Sequence, residues 1–116
     1  MQTDTMQQEI LKAIEDAKGQ DTRVLDVRGV TDFTDYMIVV SGTSNRHVQT
    51  VADKVRTHMR ERGVRPVGSE GEAVGDWVLI DFGDVVVHVM RPQVRDFYNL
   101  EKLWGEGARA GATAKQ

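Results

Sequence analysis

The sequence predicts a single-domain protein of the mixed α/β (α+β) class, in which helices pack on a sheet of about five strands. Its 116 residues provide for one hydrophobic core and leave no room for a second. Segments whose apolar residues recur at helical spacing alternate with short runs of β-branched residues. Two such runs flank Gly83-Asp84, an arrangement typical of a two-residue β-hairpin.

The first predicted element is a helix over residues 6–18. Its apolar stripe starts at Met6. Thr5 and Gln8 fit a capping box, in which each side chain satisfies a free backbone amide of the first turn. Gly19 is expected to end the helix, because glycine adopts the left-handed conformation without steric cost.

Two strands and a second helix are predicted in the next part of the chain. Residues 23–28 are β-branched, and residues 36–41 form a continuous apolar run that is typical of a strand covered on both faces. A helix is expected to follow the Gly-Thr-Ser turn and to end near Arg62, with Gly63 as its stop signal. A short edge strand is predicted around Val67, because the preceding proline argues against a central one.

The hairpin turn sets the register between residues 77–82 and residues 85–90. One face is wholly apolar and is assigned to the core; its pairs are Val78 with Val89, Ile80 with Val87, and Phe82 with Val85. The other face is mixed; its pairs are Trp77 with Met90, Leu79 with His88, and Asp81 with Val86. A mixed face suits either a covering helix with satisfied polar partners or another protein.

A last helical segment is predicted to open at Arg91-Pro92, since proline is tolerated at the first helical position. Phe97 and Leu100 are expected in the core, because a short terminal helix must bury something. Exposed apolar surface is expected from three side chains that cannot all point inward: Tyr98, Leu103 and Trp104. The predicted domain thus covers residues 1–104. Residues 105–116 contain nothing large to bury, and a disordered tail is predicted there.

Composition narrows the class of protein. No apolar run approaches the roughly 20 residues of a membrane span. The N-terminus lacks a signal-peptide pattern, so a cytoplasmic protein is expected. The chain has no cysteine, and its three histidines lack metal-ligand spacing, so neither a disulfide nor a metal site is predicted.

The charge is distributed unevenly. The net charge of −3 disfavours binding of nucleic acid through the whole surface and favours binding to a protein. Residues 46–65 contain six basic and two acidic side chains, whereas residues 66–84 contain five acidic and no basic ones. Such asymmetry can steer a charged partner, although two differently solvated faces explain it equally well.

Seven segments spread along the chain carry a family resemblance: VLDVR (24–28), TDY (34–36), SGTSNRHV (41–48), EG (70–71), WV (77–78), DFGDVVVHV (81–89) and FYNLEKLW (97–104). In order and spacing they resemble the ribosomal silencing factor family, also called Iojap-like. Each segment alone is weakly specific, but all of them in register make a specific signal. The resemblance extends from the first helix to Trp104.

The resemblance implies a nucleotidyltransferase-like topology without that activity, hence a protein that is not an enzyme and needs no cofactor. It implies a translational repressor that binds the large ribosomal subunit through its fourteenth ribosomal protein and blocks joining of the small subunit when nutrients are scarce. It also implies a homodimer off the ribosome. A large-subunit assembly factor that uses the same surface is the alternative. The basic stretch is interpreted as a solvated face, with a secondary contact to ribosomal RNA as its alternative.

The candidate partner-binding residues lie on the mixed face and the terminal segment: Trp77, Asp81, Asp84, His88, Met90, Tyr98, Leu103 and Trp104. Trp77 is interpreted as an interface anchor in preference to a core tryptophan whose indole N–H finds a partner. For Asp81 and His88, contact with a basic partner and internal pairing, by turn amides and by a carboxylate respectively, stay equally open. Asp84 is assigned to the turn first and to an acidic patch second.

The turn Gly42-Thr43-Ser44 raises a competing enzymatic hypothesis. Exposed amides at a helix start can bind phosphate, and nucleotidyltransferases use a comparable Gly-Ser turn. Such enzymes also need closely spaced carboxylates to hold magnesium. The sequence that follows is Asn-Arg-His-Val, so the usual Asp-x-Asp pattern is missing. A helix N-cap by Thr43 or Ser44 is therefore preferred, and a nucleotide-binding enzyme is the weaker alternative.

Overall fold

A computed structural model of the chain describes residues 1–104, and the predicted tail over residues 105–116 lies outside the described part. The elements in order are α1 (Thr3–Asp16), β1 (Gln20–Asp26), β2 (Tyr36–Ser41), α2 (Asn45–Arg60), β3 (Gly68–Glu70), β4 (Trp77–Asp81), β5 (Val85–Met90), α3 (Pro92–Tyr98) and α4 (Leu100–Trp104). The strands form one sheet in the order β1-β2-β5-β4-β3. Only β2 and β5 run parallel, so the sheet is mixed and the predicted fold class is confirmed. None of the helices within these 104 residues is long and apolar enough to cross a membrane.

The two faces of the sheet are covered unequally. On the first face α1 and α2 bury the main core, to which Ile10, Val51 and Ile80 belong. On the second face a smaller cluster, which includes Val39 and Leu100, lies beneath the short helices α3 and α4. Because α3 and α4 have only 7 and 5 residues, much of the second face near β4 keeps contact with solvent.

The predicted hairpin register is confirmed. Across β4 and β5, Val78 pairs with Val89 and Ile80 with Val87 on the first face. The second-face pairs are also as predicted: Trp77 with Met90, Leu79 with His88, and Asp81 with Val86. Strand β5 lies at the centre of the sheet, and all six of its side chains are buried.

The predicted start of the first helix is wrong. Helix α1 begins at Thr3, its N-cap is Gln2, and no side chain caps it, so the capping box does not form. The apolar stripe marks the buried face only, and polar residues ahead of it continue the helix in solvent. The left-handed residue after the helix is Lys18, not Gly19. Glycine at position 19 is explained by close packing instead, because a Cβ there would lie 2.6 Å from Val40 Cγ2.

The predicted terminal helix is two helices. Asn99 adopts a left-handed conformation that ends α3, and α4 begins at Leu100. Leu100 is buried as predicted, but the prediction of a core position for Phe97 is wrong, since its side chain is 81% exposed. The inward position of α3 is taken by Arg95. Its guanidinium donates to Ser41 Oγ at 2.8 Å and to Glu101 Oε2 at 3.0 and 3.2 Å.

An ion-pair cluster links α1 to α2. The carboxylate of Glu9 accepts hydrogen bonds from Lys12 Nζ at 2.9 Å and from His58 Nε2 at 2.9 Å, and it lies 2.8 Å from Arg62 Nε. The hydrogen bond from Lys12 is the largest cause, and that from His58 the next, of a lowered Glu9 pKa of about 2.

We expect Glu9→Gln to lower the thermal midpoint of unfolding at neutral pH, because it removes the negative charge that Lys12 and Arg62 share and that His58 contacts. The folded-state pKa lies below the ordinary value of 4.5, so this stabilisation is fully present above that pH and is lost as the pH falls toward about 2. Melting curves followed by circular dichroism should therefore converge for wild type and variant as the solution is acidified. Glu61→Gln is the control, because Glu61 is largely exposed and 4.0 Å from Arg62. A Glu9→Gln deficit that persists unchanged in acid would contradict the expectation.

Candidate partner-binding surface

The loop that leads into β4 is held by α2 and by the end of β5. Asn45 Nδ2 donates to the carbonyl of Val74 at 2.9 Å, and Gln49 Nε2 donates to the carbonyl of Glu72 at 2.8 Å. The Arg91 amide donates to the carbonyl of Asp76 at 2.9 Å. These bonds fix the backbone immediately before Trp77 and thereby place its side chain on the second face.

A row of three aromatic side chains, Trp77, Tyr98 and Phe97, crosses from β4 onto α3. The ring centroids of Trp77 and Tyr98 are 4.8 Å apart, and those of Tyr98 and Phe97 are 5.1 Å apart with an edge-on geometry. Trp77 is half-buried, whereas Tyr98 is 50% exposed. We call these three residues the aromatic row.

Helix α4 adds further apolar surface near the aromatic row. Leu103 is 60% exposed. Trp104 is half-buried and packs, like Trp77, against the second-face cluster. Exposed apolar groups that collect on one face of a protein can mark an interaction site. The row and α4 together therefore form a candidate docking surface for another macromolecule.

The two carboxylates near the hairpin turn have local structural contacts. Asp81 Oδ1 accepts from the Gly83 amide at 2.8 Å, which bears out the turn-amide alternative for this residue. Asp84 Oδ2 accepts from Thr3 Oγ1 at 3.1 Å, and its carbonyl accepts from the amides of Asp35 and Tyr36. Asp81 stays partly exposed and Asp84 is exposed, so both carboxyl groups lie at the surface.

The structure corrects the placement of His88 and Met90. The sequence predicts both on the contact surface, yet His88 is 4% exposed and Met90 is fully buried. The reason is topological, since β5 is the central strand and neighbours cover it on either side. A carboxylate partner for His88 was the wrong alternative, because its Nδ1 accepts from the indole N–H of Trp77 at 3.0 Å.

Three features escaped the sequence reasoning. Phe97 is the most exposed member of the aromatic row although it was assigned to the core, and Arg95 takes the buried position instead. Apolar periodicity predicts inward positions only if the segment is one continuous helix. The helix is broken at Asn99, so the pattern could not show that Arg95 is buried in place of Phe97. Phe33 is also largely exposed, in the connection between β1 and β2, and an isolated aromatic in a turn-rich segment carries no pattern that would reveal it.

The whole chain, residues 1–116, matches the family model described as "Ribosomal silencing factor during starvation". The chain belongs to this ribosomal silencing factor family. A "Ribosomal silencing factor RsfS" from Chromobacterium violaceum is 52% identical over 95 residues, which cover 82% of this chain and 78% of the relative. A crystal structure of a protein from Chromobacterium violaceum superposes with a TM-score of 0.89 at 47% identity, and covers 91% of this chain and 89% of that one.

The family also has longer eukaryotic relatives. The mouse protein named "Mitochondrial assembly of ribosomal large subunit protein 1" is 35% identical over 98 residues. The matched region covers 82% of this chain but only 43% of the mouse protein. This domain therefore occurs in the family both as most of a bacterial chain and within larger proteins.

In this member of the ribosomal silencing factor family, the Gly-Thr-Ser turn serves as a helix cap. Ser44 Oγ accepts from the His47 amide at 3.0 Å, which confirms the N-cap interpretation. The Thr43 amide donates to His47 Nδ1 at 2.9 Å, and the Gly42 amide donates to the carbonyl of Met90 at 3.0 Å. The amides of Gly42, Thr43 and His47 are thus already engaged within the fold. Within residues 1–104, no three His, Asp or Glu side chains are grouped so as to hold a metal ion.

Proposed function

We propose that this protein is a translational repressor that binds the large ribosomal subunit and sterically blocks joining of the small subunit, mainly under nutrient limitation. The observation that carries the proposal is the aromatic row, which offers exposed Tyr98 and Phe97 beside a half-buried Trp77. Aromatic side chains of this kind dominate the energetics of protein interfaces. Membership of the ribosomal silencing factor family supports the ribosome as the target.

The charge around the aromatic row favours a basic protein as the partner. Asp81 lies on the same face of β4 as Trp77, and Asp96 is an exposed residue of α3, the helix that carries Phe97 and Tyr98. Acidic groups around an apolar centre complement a basic protein surface and repel RNA phosphates. We therefore propose the fourteenth ribosomal protein of the large subunit, the partner that the family resemblance implied, as the direct contact.

The mechanism is steric and uses no catalysis, so we propose that the protein is not an enzyme. It needs only a surface that binds tightly enough to occlude the subunit interface in the cytoplasm. Exposed cations on α2, such as Lys54 and Arg60, supply a secondary contact with ribosomal RNA. Off the ribosome the exposed apolar surface favours a homodimer, because pairing shields it from water.

A large-subunit assembly factor that uses the same surface is the second candidate. The name of the mouse relative, which refers to assembly of the large ribosomal subunit, favours it. Both candidates bind the large subunit. They differ in whether a mature small subunit can still join.

Sedimentation of purified subunits separates the candidates. The protein is mixed with large and small subunits at a magnesium concentration that just supports joining. Repression predicts co-sedimentation with the large subunit and fewer joined ribosomes. Normal joining despite binding would favour the assembly role. Nucleotide binding that depends on Thr43 and Ser44, without ribosome binding, would favour the enzymatic alternative.

We expect Phe97→Ala to weaken large-subunit binding by about tenfold, which corresponds to roughly 1.4 kcal/mol. The side chain is 81% exposed, so its loss should leave the unfolding midpoint unchanged. Titration of labelled protein with large subunits measures the affinity, and a melting curve measures the fold. Val67→Ala is the matched control, because Val67 is 77% exposed and its backbone amide donates to the carbonyl of Asp81, at the opposite end of β4 from Trp77. Equal affinities for the two variants would argue against the row as the contact.

A further inference from the structure

His88 lies directly beneath the aromatic row. Its side chain is 4% exposed, and its ring centroid is 5.9 Å from that of Trp77. The indole N–H of Trp77 donates to His88 Nδ1 at 3.0 Å. Its neighbours across the adjacent strands are Val39 of β2 and Leu79 of β4, which are both apolar. Trp77 thus provides the one hydrogen bond found for the His88 ring within residues 1–104.

The protonation of the ring follows from this geometry. A nitrogen that accepts a hydrogen bond carries no proton, so the neutral ring has its proton on Nε2. Burial lowers the pKa of His88 to about 4, so the ring stays neutral and keeps its acceptor at neutral pH. The Nε2 atom is buried and has no hydrogen-bond partner among the described residues.

An unpartnered buried donor costs stability, and this cost argues against a purely structural role for the histidine. A leucine at this position would meet the same apolar neighbours without burying a polar group. What leucine would lack is the acceptor for the Trp77 indole. The histidine is therefore explained by what it does to Trp77.

We propose that His88 is a positioning residue that holds the Trp77 indole by its N–H, so that Trp77 presents an aromatic ring and no hydrogen-bond donor to its partner. This inference rests on the proposed function, because it concerns the same surface. It also specifies the chemistry of the partner at this point. The group that faces Trp77 is an apolar side chain or a cation stacked on the ring, not a carbonyl or carboxylate that needs a donor.

Two substitutions separate positioning from packing. His88→Leu keeps an apolar side chain but removes the acceptor, so the indole loses its restraint. His88→Asn places a side-chain oxygen near the position of Nδ1 and retains the acceptor. Proton–nitrogen correlation NMR of the indole N–H reports the restraint as slow exchange with water, and a Trp104→Phe variant assigns the Trp77 signal. Titration with purified large subunits gives the affinity, and thermal melts give the stability.

We expect His88→Leu to melt no lower than wild type, to exchange its Trp77 indole proton faster, and to bind large subunits about tenfold more weakly. His88→Asn should retain slow exchange and bind within about threefold of wild type. The proposal is overturned if His88→Leu binds like wild type or if His88→Asn is as weak as His88→Leu. It is also overturned if indole exchange is the same in all three proteins. Failure of wild type itself to bind large subunits would refute the proposed function, while the exchange rates would still decide whether His88 restrains Trp77.

Discussion

Trp77→Ala is expected to weaken binding to the large subunit by about 30-fold or more, the largest loss for any single substitution in the aromatic row. Trp77 joins the exposed part of the row to the second-face cluster, and its ring is held there by packing and by the hydrogen bond to His88. A pre-ordered aromatic loses little conformational entropy on binding. Truncation would also leave Tyr98 without the ring against which it packs. In the sedimentation assay the variant should therefore restore joined ribosomes.

The same substitution removes packing in the second-face cluster, so stability must be measured beside affinity. Leu11→Ala provides the matched control, because Leu11 is half-buried against the core of the opposite face. Both variants should melt at lower temperature, but only Trp77→Ala should lose binding when both are assayed well below their melting temperatures. If Leu11→Ala lost affinity to the same degree, general destabilisation would explain the effect and the anchor role of Trp77 would be excluded.

Gly71→Ala is expected to be the most disruptive conservative change in the fold, with a loss of about 3 kcal/mol in the free energy of unfolding. Gly71 has a φ of +93°, which side-chain-bearing residues rarely adopt. A Cβ at this position would also lie 1.9 Å from the carbonyl oxygen of Trp77, so the backbone itself must move. Because the displaced atom belongs to Trp77, the start of β4 should shift and the aromatic row with it.

Gly29→Ala separates the two causes of that loss. Gly29 has a φ of +81°, but a Cβ there would meet no atom within 4 Å. We therefore expect a loss of about 1 kcal/mol from backbone conformation alone. Urea unfolding of both variants measures the difference, which represents the steric contact with Trp77. A Gly71→Ala variant as stable as Gly29→Ala would show that the turn relaxes without moving β4.

Local patterns predicted the elements whose residues interact with near neighbours in the chain. The hairpin register is one example, because a two-residue turn leaves one way to pair its flanking strands. Ser44 as the cap of α2 and Gly63 with φ +79° after it are others, since the partners lie within a few residues. The candidate surface was predicted in part for the same reason, as alternation along β4 places Trp77 and Asp81 on one face.

The remaining members of the surface depended on contacts between distant segments. Burial of Arg95 requires Ser41, which lies 54 residues earlier, and it leaves Phe97 on the outside. His88 carries the polar character of a surface residue, yet its position in the sheet order buries it. No local pattern records which strand becomes central.

The amino-acid sequence by itself determined the family, the mixed α/β class, and which residues of each strand share a face, because these depend on composition, motif order and a period of two along the strand. The tertiary structure alone decided which of those faces stays open to solvent. That outcome depends on how two short helices, broken at Asn99, cover one end of the second face and not the other. Burial depends on how the whole chain packs. The three side chains of the aromatic row therefore come together only because α3 lies beside β4.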